Sequence, residues 1–139
     1  MNTLVTDKGF ATDDWSLGFV DLGQLATAED GSGAAVDLPI DADLSELDGL
    51  LDRISLIRIN FPSFSDGRGF SHARNLRRMG FTGRLRASGH VIADQYAMAR
   101  RSGFDEIEID EELAARQPED QWLKRADWQS HDYQNRLRA

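Results

Sequence analysis

The sequence contains no cysteine, which excludes several kinds of cross-link and site. The chain can form no disulfide, and it offers no thiolate nucleophile, no cysteine ligand for zinc and no cysteine anchor for an iron–sulfur cluster. Long apolar runs are also missing, since the uninterrupted apolar stretches extend over only a few residues. A membrane-spanning helix needs about 20 apolar residues, so the sequence predicts no membrane span.

The first ten residues lack the apolar core of a signal peptide, because they include Asp7 and Lys8. This favours a soluble protein of the cytoplasm. The length of 139 residues favours a single domain over 1–139, which is long enough to bury an ordinary core. Within it we distinguish an acidic N-terminal segment (1–52), a central segment (53–110) and a C-terminal tail (111–139).

Basic residues are almost absent from the N-terminal segment, and the charge along the chain is therefore very uneven. Residues 1–52 hold twelve acids and one base, residues 53–104 hold ten arginines and two acids, and residues 105–139 hold ten acids and five bases. Either the acidic flanks fold over the basic middle and neutralise it, or the middle presents an anion-binding face. Acidic flanks repel phosphate groups, so the pattern argues against binding of nucleic acid.

The central segment has the pattern of a βαβαβ unit. Apolar strand-like runs at 54–59, 83–88 and 104–109 alternate with helical periodicity over 70–79 and 91–99. Crossovers of this kind are right-handed and join parallel strands. The predicted fold class is therefore α/β, with a parallel, half-barrel-like sheet whose helices lie mainly on one face.

The flanking segments have weaker patterns. Residues 15–20 and 34–38 alternate enough to suggest strands, and Asp43 can cap a short helix that follows it. The tail over 118–137 carries several aromatic residues, among them Trp122. We expect this tail to form one or two short helices that pack back on the body.

Alternation along the central strands places charged side chains on one face of the sheet. Arg58, Arg86 and Glu108 share that face near the carboxyl ends of the strands, whereas the apolar residues share the other. Charges on adjacent strands can pair across the sheet. We expect the N-terminal segment to cover this face in part and to leave an opening at the carboxyl ends, where open α/β sheets bind ligands.

The connection after the first central strand is the best candidate for an anion-binding site. Glycines allow a ligand to approach the backbone, the free amides of a helix N-terminus point outward, and arginine and serine add donors. The predicted anion-binding residues are Gly67, Arg68, Gly69, Ser71 and, from the next strand, Arg86. We expect both glycines to lie in the connection, with at least one free backbone N–H. The alternative is a capped turn, in which Asp66 caps the helix and Arg68 pairs with a nearby acid.

Candidate acid–base residues lie at the same ends of the strands. They are Asp66, His90 and Asp94, and no nucleophile or second histidine accompanies them in the sequence. His72 is expected to be solvated, and the three histidines lack the spacing of metal ligands. The glycines match neither a dinucleotide-binding fingerprint nor a P-loop. The sequence therefore predicts no cofactor and no metal.

A family resemblance is concentrated between residues 57 and 105, with a further pair near the C-terminus. The residues that carry it are Phe61, Pro62, Phe64, Asp66, Gly67, Arg68, Ser71, Ala73, Arg74, Leu76, Arg77, Gly83, Leu85, Arg86, Ala87, Gly89, Val91, Asp94, Gln95, Arg101, Gly103, Phe104, Asp105, Tyr133 and Gln134. With them the chain resembles a bacterial domain-of-unknown-function family that is labelled as an oxidoreductase of sulfite reduction. His90 departs from the family, which usually has an acid there.

The resemblance implies a role in assimilatory sulfate and sulfite reduction, with sulfite reductase or another enzyme of sulfate assimilation as a partner. Redox catalysis needs a cofactor or a thiol pair, so we expect any redox centre to belong to that partner. The first interpretation is an accessory protein that holds a small oxyanion or an acidic partner surface. The alternatives are a small enzyme that acts on an anionic substrate at the carboxyl ends of the strands, and a structural subunit that docks onto sulfite reductase through the aromatic tail. The sequence leaves open whether the chain forms homo-oligomers.

Overall fold

The described strands form one six-stranded sheet with the order β2-β1-β6-β5-β4-β3. A computed structural model of the chain describes residues 2–15, 18–21, 23–24, 33–63, 65–126 and 128. The strands are β1 (Thr3–Thr6), β2 (Gly9–Thr12), β3 (Ala34–Leu38), β4 (Ile54–Phe61), β5 (Arg84–Gly89) and β6 (Glu106–Ile109). The α-helices with described bounds are α1 (Arg68–Arg78), α2 (Tyr96–Ser102), α3 (Glu111–Arg116) and α4 (Glu119–Leu123). Short 3-10 helices occupy Leu44–Leu47, Leu51–Arg53 and Ala93–Gln95.

The central four strands are parallel, and the predicted βαβαβ unit is confirmed. Strand β4 pairs with β5 so that Arg58 lies opposite Arg86, and β5 pairs with β6 so that Arg86 lies opposite Glu106. Helix α1 connects β4 to β5, and α2 connects β5 to β6. Strand β3 extends the parallel sheet beyond β4. This register places the charged side chains of neighbouring strands side by side on one face.

Glycines end both crossover helices, as the sequence pattern predicts. Gly80 follows α1 with φ of 101°, and Gly103 follows α2 with φ of 118°. Both values lie in the left-handed region, which glycine adopts without the steric penalty that other residues incur. Each helix therefore stops where the chain must turn back toward the next strand.

The apolar core lies between the sheet and the helices. Phe61 at the end of β4 is 1% exposed, and its ring centroid lies 5.1 Å from that of Phe70 and 5.9 Å from that of Phe104. Trp122 from the tail is also 1% exposed and contacts Tyr96 edge to face at a centroid distance of 6.3 Å. The expectation that the tail packs on the body is confirmed for α4, and Tyr133 lies outside the described residues.

The N-terminal segment adds a hairpin that the sequence pattern did not predict. Strands β1 and β2 pair antiparallel, and β1 also pairs antiparallel with β6, where Val5 lies opposite Ile107. Val5 is fully buried. Each strand has four residues, which is too short for a clear alternation signal, and the burial of β1 comes from a partner about a hundred residues away.

The rest of the N-terminal segment agrees with the sequence in part. The strand predicted over 34–38 is confirmed as β3, and Asp43 caps the 3-10 helix that follows it by accepting a hydrogen bond from the Ser45 amide. The strand predicted over 15–20 falls partly outside the described residues, and within it Val20 makes an isolated parallel bridge to Val36. None of the helices that the structure describes is long and apolar enough to cross a membrane.

Candidate functional site

Arg86 is the centre of a charged network on the sheet face opposite the helices. Its side chain is fully buried. Its Nε donates to Glu106 Oε2 at 2.6 Å, and its Nη1 donates to Glu108 Oε1 at 2.9 Å. Asp13, from the segment after β2, accepts a further hydrogen bond from Nη1 at 3.2 Å. The expected pairing of Arg86 with Glu108 and with an acid of the N-terminal segment is confirmed.

The two neighbouring arginines extend this network along the sheet. Arg58 binds Asp37 through Nε and Nη2 at 2.6 and 2.7 Å, and its Nη1 reaches Glu108 Oε1 at 3.1 Å. Arg84 binds Glu106 at 2.7 Å and Asp14 at 2.9 Å through Nη2. The hydrogen bond to Asp37 is the main reason why the pKa of Arg58 lies above its ordinary value. All three cations are therefore held by carboxylates within the chain.

Residues 13–15 and 18–21, which we call the strap, lie over this face. Besides the Asp13 and Asp14 ion pairs, the Phe19 ring lies 3.7 Å from the guanidinium carbon of Arg58, which is cation–π geometry. The predicted partial cover by the N-terminal segment is therefore present. One group under the strap is unsatisfied: within the described residues, Arg86 Nη2 has no hydrogen-bond partner and lies 4.0 Å from Asp14.

The start of α1 holds three of the predicted anion-binding residues, with Gly67 as the N-cap and Arg68 and Gly69 in the first turn. Asp66 accepts hydrogen bonds from the Arg68 amide at 3.1 Å and from the Arg68 guanidinium at 3.0 and 2.7 Å. The hydrogen bonds from Arg68 hold the pKa of Asp66 below its usual range. The capped-turn alternative agrees with these contacts in part, because Arg68 pairs with an acid, Asp66, as it requires, but Gly67 and not Asp66 occupies the N-cap position of α1. The Asp66 carboxylate thus lies at the N-terminus of α1, where an external anion was expected.

The two glycines of this turn have different positions, and the prediction that both lie in the connection is wrong for Gly69. Gly67 precedes α1, but Gly69 belongs to its first turn. A Cβ on Gly69 would lie 2.2 Å from the Phe61 ring, so this glycine allows the helix to pack closely on β4. Within the described residues the amides of Gly69 and Phe70 have no hydrogen-bond acceptor, as is usual for a first helical turn.

The remaining site candidates are dispersed. Ser71 accepts a hydrogen bond from Arg74 at 3.4 Å, and Asp94 pairs with Arg125 from the tail at 2.7 Å. The His90 amide donates to the Phe61 carbonyl at 3.0 Å, next to the end of β4. Asp66 therefore lies between β4 and α1, whereas His90 and Asp94 both lie between β5 and α2, and Asp66 and Asp94 are in separate ion pairs. Among the described residues no group of three or more histidine or acidic side chains is placed to hold a metal ion.

His72 is not solvated as predicted. Its ring is half-buried, and Nε2 lies 2.6 Å from the carbonyl oxygen of Ile40 in the loop after β3. This contact joins α1 to the N-terminal segment. Periodicity placed His72 on the arginine-bearing side of α1 but gave no sign that a distant loop would cover it.

A cleft opens at the carboxyl ends of the parallel strands, where the sequence pattern predicted an opening. Its larger part has a volume of about 590 Å³. The charged residues that line this part are Asp37, Arg58, Glu108 and Asp110. A smaller part of about 280 Å³ shares Asn60 and Pro39 with it and extends to Asp41 and Arg68. We call these two parts together the carboxyl-end cleft. Its lining contains four carboxylates and two guanidinium groups.

A second polar cluster, at the β1–β2 turn, was not predicted from the sequence. The Tyr96 hydroxyl donates to Asp7, which also binds Arg100 at 3.1 Å and the Trp128 indole at 3.3 Å. Burial opposes the charge on Asp7, but the hydrogen bonds from Arg100, Tyr96 and Trp128 outweigh it and hold its pKa below the usual range. Burial and the hydrogen bond to Asp7 raise the pKa of Tyr96. The cluster joins the β1–β2 turn to α2 and the tail.

The comparisons with known proteins identify a family but no characterised relative. A family model described as a bacterial protein of unknown function (DUF934) matches residues 35–139. The match begins one residue into β3 and takes in β4 to β6 and the four α-helices with described bounds, but not the β1–β2 hairpin or the strap. Neither a curated protein nor a solved structure matches the chain significantly.

Proposed function

We propose that the chain, which belongs to the bacterial family of unknown function DUF934, is an accessory binding protein of assimilatory sulfite and sulfate reduction in the cytoplasm. The pathway in this proposal comes from the sequence resemblance described above. The mode of action comes from the carboxyl-end cleft. We infer that the cleft binds a basic group of a partner protein, and that the partner is sulfite reductase.

The charge of the carboxyl-end cleft is the observation that carries this proposal. Its four carboxylates, from Asp37, Asp41, Glu108 and Asp110, outnumber the guanidinium groups of Arg58 and Arg68. Both arginines already bind carboxylates within the chain. A free dianion such as sulfite would meet a net negative lining, whereas a lysine or arginine side chain of a partner would be attracted to it.

The other interpretations from the sequence have less support. Oxyanion binding at the turn before α1 competes with the Asp66 carboxylate, which already accepts three hydrogen bonds from Arg68. Docking through the aromatic tail cannot use Trp122, because its side chain is buried in the core. The acid–base candidates lie on two connections, Asp66 before α1 and His90 with Asp94 before α2, and Asp66 and Asp94 are already in ion pairs. These contacts favour binding of a partner over catalysis.

The test is to measure binding between the purified chain and the sulfite reductase of the same bacterium by biolayer interferometry. We expect saturable binding that weakens as salt rises, because charges at the rim of an interface act through screened attraction. Asp41→Asn removes an exposed charge from the cleft and should weaken binding by about two- to fivefold. Glu46→Gln removes an exposed charge of the neighbouring 3-10 helix and serves as the control. Absence of binding, or equal effects of the two variants, would contradict the proposal.

A further inference from the structure

A small cavity between α2 and the residues after α4 differs in charge from the clefts of the sheet. Its volume is about 290 Å³, close to the lower limit of small-molecule pockets. The residues that line it are Asp94, Ala97, Arg101, Lys124, Arg125 and Trp128. It thus has three cations and one carboxylate. The carboxyl-end cleft has an excess of carboxylates, and the cleft at the opposite end of the strands has two arginines and two acids.

Two of the cations in this cavity have unused donors. In the part of the chain that the structure describes, neither Arg101 nor Lys124 contacts a carboxylate. Arg101 uses Nη2 to donate to the Trp128 backbone carbonyl at 3.2 Å. Arg125 is paired with Asp94 at 2.7 Å, but both side chains are at least half exposed. An exposed pair of this kind is weak and can reorganise around a ligand.

The indole wall of the cavity is held in position from two sides. The Arg100 guanidinium carbon lies 4.7 Å from the Trp128 ring, and the indole Nε1 donates to Asp7 at 3.3 Å. The Trp128 backbone carbonyl accepts the hydrogen bond from Arg101. A ligand that reaches Arg101 and Lys124 would therefore contact a wall that is already ordered, which reduces the entropic cost of binding.

We propose that this cavity is an anion-binding site for a small oxyanion, either free or as the terminal group of a larger molecule. Arg101 supplies a planar fork of donors, Lys124 supplies a point charge, and Arg125 is available once its pair with Asp94 opens. The excess of two positive charges matches a dianion of the sulfate, sulfite or phosphate type. This site is separate from the carboxyl-end cleft and does not depend on the proposed partner.

The experiment is a titration of the full chain with sodium sulfate, sodium sulfite and sodium phosphate at low ionic strength. Binding is followed by calorimetry and by the indole N–H resonance that disappears in Trp128→Phe. We expect saturable binding with a shift of that resonance, and a loss of affinity of about tenfold or more in the double variant Arg101→Gln/Lys124→Gln. A parallel titration with phenyl phosphate distinguishes a free oxyanion from the terminal group of a larger molecule. If phenyl phosphate binds more tightly than inorganic phosphate, the site takes the terminal group of a larger molecule.

Two control variants make the result specific to the cavity. Arg78→Gln removes an exposed cation at the end of α1, and Arg68→Gln removes the arginine of the turn before α1. Each should change the affinity by less than about twofold. Loss of binding in Arg68→Gln but not in the double variant would place the oxyanion at that turn and overturn the inference. It would also be overturned if no anion bound saturably up to about 10 mM, or if the double variant bound as tightly as the natural chain.

Discussion

At the scale of single residues, Arg86 has the clearest structural role. It is fully buried, and its Nε and Nη1 atoms bind the two glutamates of β6. A guanidinium group in this position is stable only because carboxylates surround it. The sequence predicted both a pairing role and an anion-binding role for Arg86. The contacts favour pairing, since the strap and the sheet leave the side chain no exposed surface.

Arg86→Ala should therefore destabilise the fold, by about 3–5 kcal/mol, because it leaves Glu106 and Glu108 with fewer partners in a buried position. Urea denaturation followed by circular dichroism measures the change in the free energy of unfolding. Arg68→Ala is the matched control, since Arg68 is exposed and its loss should leave the free energy of unfolding nearly unchanged. A loss below about 1 kcal/mol for Arg86→Ala would contradict the pairing role.

At the scale of elements, the start of α1 requires glycine at only one of its two glycine positions. The first turn of the helix lies against the ring of Phe61, and Gly69 is the point of closest approach. Gly67 has open space around it, since a Cβ there would meet no atom within 4 Å. The same Gly-x-Gly spacing thus serves close packing at one position and only a chain turn at the other.

Gly69→Ala should destabilise the protein by about 1–3 kcal/mol, because the new methyl group would overlap the Phe61 ring inside a packed core. Gly67→Ala should be close to neutral, since its φ of −81° is open to any residue. Thermal unfolding of the two variants beside the natural chain gives the comparison. Equal midpoints for Gly69→Ala and Gly67→Ala would show that the helix does not lie as close to β4 as described.

The sequence predicted the central elements well and the flanking ones poorly, for physical reasons. Strands β4 to β6 and helices α1 and α2 are set by local periodicity and by the glycines that end the helices. The row of Arg58, Arg86 and Glu108 followed from strand alternation alone. Hairpin β1–β2 could not be read in this way, because its burial depends on pairing with β6 across the whole chain.

The candidate site, like the fold, was predictable where it depends on local pattern and not where it depends on distant segments. The opening at the carboxyl ends of the strands follows from the parallel topology. The partners of the charged groups do not: Asp37, Asp13 and Asp14 lie far along the chain from the arginines that they bind. The Asp7 contacts to Tyr96 and Arg100 are equally distant in sequence. Ion pairs between remote segments leave no periodic pattern, and an excess of acids in residues 1–52 was the available signal.

At the scale of the whole molecule, the N-terminal segment is part of the fold rather than an appendage. Strand β1 covers the edge of β6, Leu4 and Val5 are buried, and the strap lies over the arginine row. Asp7 ties the hairpin to α2 through Tyr96 and Arg100. The family match begins at residue 35. The region matched by the family model and the cooperative folding unit are therefore expected to have different N-terminal limits.

A fragment of residues 35–139 should consequently fail to fold cooperatively. It would lose the burial of Leu4 and Val5, each worth about 1.5–3 kcal/mol, in a domain whose total stability is about 5–15 kcal/mol. It would also expose β6 as an unpaired edge and leave the buried arginines without the strap. A fragment of residues 13–139, which keeps the strap but lacks the hairpin, separates these effects.

We expect the 13–139 fragment to unfold at a lower urea concentration than the natural chain. The 35–139 fragment should show no sharp unfolding transition at all. Circular dichroism and amide exchange measure both outcomes. The order follows from the structure, because removal of the hairpin exposes one strand edge, whereas removal of the strap as well uncovers Arg58 and Arg86 together. If the 35–139 fragment unfolds cooperatively within about 1 kcal/mol of the natural chain, then the N-terminal segment contributes little to folding. Its acidic residues would then be free to act on a partner instead of on the arginine row.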